Sequence, residues 1–277
     1  MTNTVDRNTF IMSCVQDHYN ELSSMGYEVV GVFLQGSQNY GCDEYSSAYT
    51  SDVDTKAIIL PTFEDIVCGR APFSHTHVRA NDEHIDIKDI RVMFEMFRKQ
   101  NSSYVELLFT PYKIINPKYS KLVDELLEHA EAIARMHFNQ TLRCLAGMSM
   151  EKIKALEHPY PSIAWKIEKW GYDGKQLHHI LRINQLVKSY IAGEPYIKCL
   201  DAQNKEYLIE VKKNTKYTLQ EARELAKRVD EDTHQVTKAA MLAVDAPDVT
   251  IVQFLEQLKV KFIRQFLTEE LSIHDRA

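Results

Sequence analysis

Apolar residues return at helical spacing over residues 8–25, where Phe10, Ile11, Cys14, Val15, His18 and Leu22 share one side. Residues 27–34 form a run that is apolar but for Glu28 and rich in β-branched side chains, the pattern of a buried strand. Ser, Gly, Asn and Tyr dominate residues 36–51, which read as a loop with room for a short helix. A second strand is expected over 52–60, stopped by Pro61, and a short helical turn over 63–67. Residues 74–79 and 84–88 read as a hairpin around Ala80-Asn81-Asp82-Glu83. Helices follow over 90–100 and 105–108, with Thr110-Pro111 as a stop. From Lys118 onward strand patterning nearly vanishes. Helices are expected over 119–130, 131–155, 162–169, 174–192, 218–230, 234–243 and 250–273.

The pattern therefore predicts an α+β (α/β) chain: a region of alternating strands and helices over 1–112, then a mostly helical region over 113–277, with a weaker seam at 211–216. A length of 277 residues suits one large domain or two smaller ones. Composition adds little: 44% hydrophobic and 26% charged residues are ordinary for a globular chain. No run of 18 apolar residues marks a membrane span, so no membrane partner is expected. The first residues lack the basic and apolar regions of a signal peptide. Cys14, Cys42, Cys68, Cys144 and Cys199 are odd in number and scattered, without CxxC spacing, so a reducing cytoplasm is the expected setting. The histidines show no HxxxH or HExxH spacing, which speaks against zinc. The net charge of −6 argues against a large nonspecific nucleic-acid surface, leaves room for a local basic groove, and favours a compact acceptor over a long duplex.

Candidate chemistry concentrates where the first strand runs into Gly36-Ser37 and the second opens with Ser51-Asp52-Val53-Asp54. Strand residues i and i+2 share a face, so Asp52 and Asp54 project together while Val53 turns to the core. Two carboxylates on one face call for a cation between them, and oxygen-only ligands suit Mg²⁺ or Mn²⁺. The Gly-Ser bend can offer backbone N–H groups to phosphate oxygens. Lys56 shares the carboxylate face, either touching phosphate or forming a structural ion pair. In His84-Ile85-Asp86-Ile87-Lys88 the isoleucines alternate with polar residues, so Asp86 lies on a strand's polar side, where its bland role is as a partner for Lys88 or Lys56. Asp89 fits a helix N-cap before Ile90. Lys175, His179 and Arg182 fall at i, i+4 and i+7 on one helix face, a stripe that suits either a triphosphate or solvent. His178, about 100° around the helix, reads as packing or surface. Tyr40, Tyr45 and Tyr49 could stack on a base, though packing is the commoner role. The apolar stripe over 252–271 reads as core or a dimer seam; oligomeric state stays open.

Gly36-Ser37 followed by Asp52-x-Asp54 resembles the hG[GS]…DhDh signature of the DNA polymerase β-like nucleotidyltransferase superfamily. The longer string Gly36-Ser37-Gln38-Asn39-Tyr40-Gly41…Ser51-Asp52-x-Asp54-x-Lys56, with Tyr172-Asp173-x-Lys175-x-x-x-His179-x-x-Arg182, is similar to its RNA-repair-pathway-associated (RlaP-like) branch of predicted enzymes. The resemblance spans roughly residues 28–195. The Ser37-to-Asp52 spacing is long for the family, and Lys56 stands where relatives more often have Arg, so a point charge replaces a fork. The resemblance implies an N-terminal nucleotidyltransferase domain with a mixed sheet. Asp52, Asp54 and Asp86 would hold two Mg²⁺ (or Mn²⁺) ions as the catalytic carboxylates. Gly36, Ser37, Lys56, Lys175, His179 and Arg182 would bind the nucleotide. The implied reaction moves a nucleoside monophosphate from an NTP to an acceptor hydroxyl, RNA being a possible acceptor, with release of pyrophosphate. A non-catalytic nucleotide-binding regulator and a toxin-like enzyme that adenylylates a protein are the alternatives.

Overall fold

The computed structural model describes residues 6–45, 51–243 and 245–274. Among them the fold is mixed α+β, with one five-stranded mixed sheet. By density of contacts the chain groups into two compact units. Unit 1 comprises Met1–Asn39, Tyr45–Met136 and Pro247–Ala277; unit 2 comprises Tyr40–Glu44 and His137–Ala246.

In unit 1, α1 (Arg7–Ser24) is capped by the Asp6 carboxylate, which accepts from Thr9 N–H. It buries Ile11, Val15, His18 and Leu22, four members of the stripe read from the sequence. The strands are β1 (Val29–Leu34), β2 (Thr55–Ile59), β3 (Ser74–Val78), β4 (His84–Asp89) and β5 (Lys113–Ile115). The helices between them are α2 (Phe63–Val67), α3 (Ile90–Arg98) and α4 (Ser102–Val105), and α5 (Ser120–Glu128) and α6 (Ala130–Arg135) follow β5. The sheet order is β3-β4-β2-β1-β5, antiparallel everywhere except between β2 and β4. One face packs against α1 through Val32, Leu34, Val53, Ala57, Ile85 and Ile87. Capping fixes the helix starts: Thr62 and Asp65 form a reciprocal capping box on α2, and Asp89 caps α3 by accepting from Arg91 N–H, as its position suggested.

A polar clasp crosses this core. His18 of α1 is fully buried, with Nδ1 2.9 Å from Thr55 Oγ1 and Nε2 3.1 Å from Glu83 Oε2. Arg79 reaches Glu83 at 2.6 Å and Glu21 at 2.8 Å. Burial holds His18 below its ordinary pKa, against the opposing pull of Glu83.

Unit 2 holds α7 (Phe138–Ala155), α8 (Ala164–Trp170), α9 (Gly174–Ile191), α10 (Tyr196–Leu200), α11 (Lys205–Lys212) and α12 (Leu219–Ala240). Asn184 of α9 donates to Thr233 Oγ1 at 3.0 Å and to Asp232 at 2.7 Å on α12. The chain then returns to unit 1 as α13 (Val249–His274), whose buried Leu255, Leu258 and Phe262 join the core; Phe262 meets Phe94 and Tyr119 edge-on or tilted. Part of the expected stripe over 252–271 is therefore core. No helix among the described residues is long and apolar enough to cross a membrane.

Several boundaries differ from the sequence reading. The contact grouping does not divide the chain near residue 112, because the switch from strands to helices there is not a change of core: α6 packs with α3, and α5 packs with α6 and α13, inside unit 1. β5 has three residues, too few to show alternation, and takes its place by pairing with β1. The helix expected over 131–155 breaks at His137, whose φ of −147° is extended. The helices expected over 218–230 and 234–243 are one, α12: the polar run between them is a helical turn whose Thr233 hydroxyl donates back to Val229 O at 2.8 Å. Replacing Ile87, fully buried in β4, with Ala should cost about 2–5 kcal/mol, read as a lower urea midpoint for the sheet-bearing unit; an unchanged midpoint would contradict the packing described.

Candidate functional site

The polar face of the sheet builds the site. Ser51 and Val53 are buried, Asp52 is exposed and Asp54 is half-buried, so the alternation read from sequence holds, although β2 itself begins at Thr55. Two hydrogen bonds tie this segment to the bend after β1. Gln35 N–H donates to Asp54 O at 2.9 Å, and Gln38 Nε2 donates to Asp52 O at 2.6 Å. Gly36 makes the bend with φ +102°, a conformation that costs any other residue strain. A 3₁₀ turn over Ser37–Tyr40 follows, and Asn39 Nδ2 donates to Leu34 O at 3.0 Å.

Parallel pairing of β2 with β4 sets Lys56 opposite Asp86. The face carries Asp54, Lys56, His84, Asp86 and Lys88, with Thr76 of β3 beside Asp86. Asp54 and Asp86 sit one strand apart and two residues displaced, roughly 8 Å between backbones on ordinary strand spacing. Asp54 Oδ1 accepts from His84 N–H at 2.9 Å and lies 3.3 Å from His84 Nδ1. Asp86 is nine-tenths buried and turns elsewhere: Oδ2 is 2.7 Å from Lys56 Nζ, and Oδ1 is 2.7 Å from Lys88 Nζ and 3.3 Å from Thr76 Oγ1. Burial alone would raise the Asp86 pKa, but the hydrogen bonds and charges of Lys56 and Lys88 outweigh it and hold the carboxyl below its ordinary value. Lys56 Nζ also lies 4.7 Å from the centre of the Tyr104 ring, whose own hydroxyl is pushed up to about 12 by burial and by Asp86.

The expected three-carboxylate set is not assembled in this arrangement. Asp52 and Asp54 offer the oxygen donors a hard divalent cation takes, but both Asp86 oxygens face ammonium groups. Among the described residues no three His, Cys, Asp or Glu side chains converge as a metal set. Lys56 and Lys88 as partners of Asp86 are among the roles expected from the sequence; the contact of His84 with Asp54 is not, although His84 alternates with Asp86.

Lys175, His179 and Arg182 belong to unit 2. All three are on α9, but their surroundings differ: Lys175 is exposed, His179 half-buried and Arg182 buried. The Arg182 guanidinium carbon lies 3.3 Å from the Tyr40 ring centre, and Nη2 donates to Leu200 O at 2.6 Å. Tyr40, a candidate for stacking on a base, is thus buried under Arg182 and beside His178 at 6.2 Å. Tyr45 meets Phe10 edge-on at 5.6 Å, and Tyr49 lies outside the described residues. His178 is pushed down to about 4 by burial, and His179 well below its ordinary value by burial and then by His178 and Lys175. Both imidazoles are therefore neutral at pH 7. The rest of this motif is structural. Asp173 caps α9, accepting from Lys175 N–H at 3.1 Å, and Gly174 sits so close to α11 that a Cβ would meet Val211 O at 2.2 Å. Lys212 Nζ, missed in the sequence, reaches Cys42 O at 3.3 Å, and burial and Lys175 lower its pKa.

No protein-family model and no curated protein matches the chain.

Asp86→Asn should cost about 3–5 kcal/mol, because it strands two buried ammonium groups. The folded carboxyl ionises below the unfolded value near 4, so its stabilisation is complete above that value and is lost as pH falls through the depressed folded one. Urea midpoints measured down that acid limb should fall more steeply for the parent than for the variant; parallel profiles would contradict the pairing.

Proposed function

We propose that the chain is a nucleotidyltransferase that moves a nucleoside monophosphate from an NTP to an acceptor hydroxyl with release of pyrophosphate. One observation carries the reading: Gln35 and Gln38, on either side of Gly36-Ser37, donate to Asp54 O and Asp52 O, so the bend and two carboxylate-bearing residues lie side by side. The resemblance of those residues to the polymerase β-like signature supports it. The reading rests on unit 1 alone.

In this reading each residue of the face takes a role. Gly36 and Ser37 receive phosphate oxygens at the bend. Asp52 and Asp54 are the anionic pair, and a divalent cation taken from solution with the NTP would offset their charge and that of the phosphates. His84 orients Asp54 through its N–H. Asp86 is a positioning residue that holds Lys56 on the site face. With little covalent chemistry left to the protein, positioning and charge supply the rate.

The saturation of Asp86 by two lysines favours a second reading, a nucleotide-binding regulator without turnover. Labelled NTPs incubated with Mg²⁺ and with either RNA or cell extract separate the possibilities. Transfer predicts pyrophosphate release and a labelled acceptor, and label on a protein would identify the adenylylating alternative. Asp52→Asn and Asp54→Asn should each abolish release while leaving the thermal midpoint near that of the parent. NTP binding with no release by the parent chain would establish the regulator, and full release by Asp52→Asn or Asp54→Asn would reject the role of the carboxylate replaced.

A further inference from the structure

α8 is seven residues long and buries none of them, yet it carries both tryptophans of the chain. Trp165 is 55% exposed, and the preceding loop presents Tyr160 at 47%. Rings and cations interleave along this segment. The His158 and Tyr160 centroids are 4.2 Å apart and those of Trp165 and Trp170 are 5.6 Å apart. Lys169 Nζ lies 4.4 Å from the centre of Trp170, and Lys166 Nζ 5.9 Å from that of Trp165. In a chain of net charge −6, residues 152–175 carry five lysines against three acids. Of those acids, Glu157 is held by Arg223, and Asp173, buried as the cap of α9, lies 3.4 Å from Lys166 Nζ, which leaves Glu168 in solvent.

Interface cores between proteins favour aromatics but deplete lysine. A membrane-surface helix needs a continuous apolar face of several turns, which seven residues cannot supply. Aromatic faces alternating with ammonium groups match the alternation of base and phosphate in a single strand. We infer that the α8 face of unit 2, through Tyr160, Trp165, Lys166 and Lys169, binds single-stranded nucleic acid. This names the class of acceptor for the transfer reading and rests on it for that role; the binding itself is independent of turnover.

The test uses the full chain and end-labelled RNA and DNA single strands of about 12 nucleotides. Anisotropy should report binding that weakens as salt rises. Tryptophan emission should be quenched, since both fluorophores lie on α8. Trp165→Ala should weaken binding about tenfold or more, Trp165→Phe should restore most of it, and Lys166→Glu with Lys169→Glu should flatten the salt dependence. Preference for RNA over DNA would identify which polynucleotide is the acceptor. Equal binding by Trp165→Ala, equal affinity for duplex, or quenching by anionic vesicles alone would overturn the inference. Asp54→Asn keeps the strand-binding face intact, so loss of transfer with retained anisotropy separates failure of the catalytic reading from failure of this one.

Discussion

Everything at the polar face depends on two strands running the same way in one register. β2 and β4 pair in parallel with Lys56 opposite Asp86, and that pairing decides which charges meet. Moving β4 by one residue would turn Ile85 and Ile87 to the polar face and drive Asp86 into the packing against α1. The apolar side therefore enforces the polar side. Two buried isoleucines fix the position of an acid, and the acid fixes two lysines.

Burying Asp86, Lys56 and Lys88 together is tolerable because each charge has a partner at hydrogen-bond distance. Asp52 and Asp54, by contrast, stay toward solvent at the edge of the same face. The face thus contains an inner part neutralised by its own lysines and an outer part whose carboxylates adjoin a tight bend. Unit 2 uses cations differently. Arg182 lies over the Tyr40 ring and binds a carbonyl, pinning Tyr40–Glu44 to α9, while Lys169 on α8 is exposed beside Trp170.

Local signals were legible in the sequence. The α1 stripe, the Asp89 cap and the inward turn of Val53 between two outward aspartates each follow from periodicity or capping chemistry over a few residues. What escaped was non-local or short. β5 exists because β1 pairs with it, and α10 and α11 span five and eight residues, little more than a turn or two of pattern. Residues 231–233 read as a gap between helices because Asp232 and Thr233 are polar and find their partner, Asn184 of α9, only in the fold. For the same reason the alternation of His84, Asp86 and Lys88 could be read, while the choice of Lys56 over a cation for Asp86 could not. Two tryptophans on a short segment were visible as residue types; that Trp165 stays 55% exposed emerges from the packing.

Unit 1 is not continuous along the chain. Its final helix, α13, arrives only after the whole of His137–Ala246, yet Leu255, Leu258 and Phe262 fill space beside Phe94 and Tyr119. Asp248 N–H donates to Met136 O at 2.6 Å, closing the point where the chain leaves unit 1 and comes back. On the ribosome, the region that emerges first is thus among the last to complete its interior. Until Phe262 has left the ribosome, Phe94 and Tyr119 each lack an aromatic neighbour they hold in the finished fold, a window in which the nascent chain depends on being shielded from its neighbours.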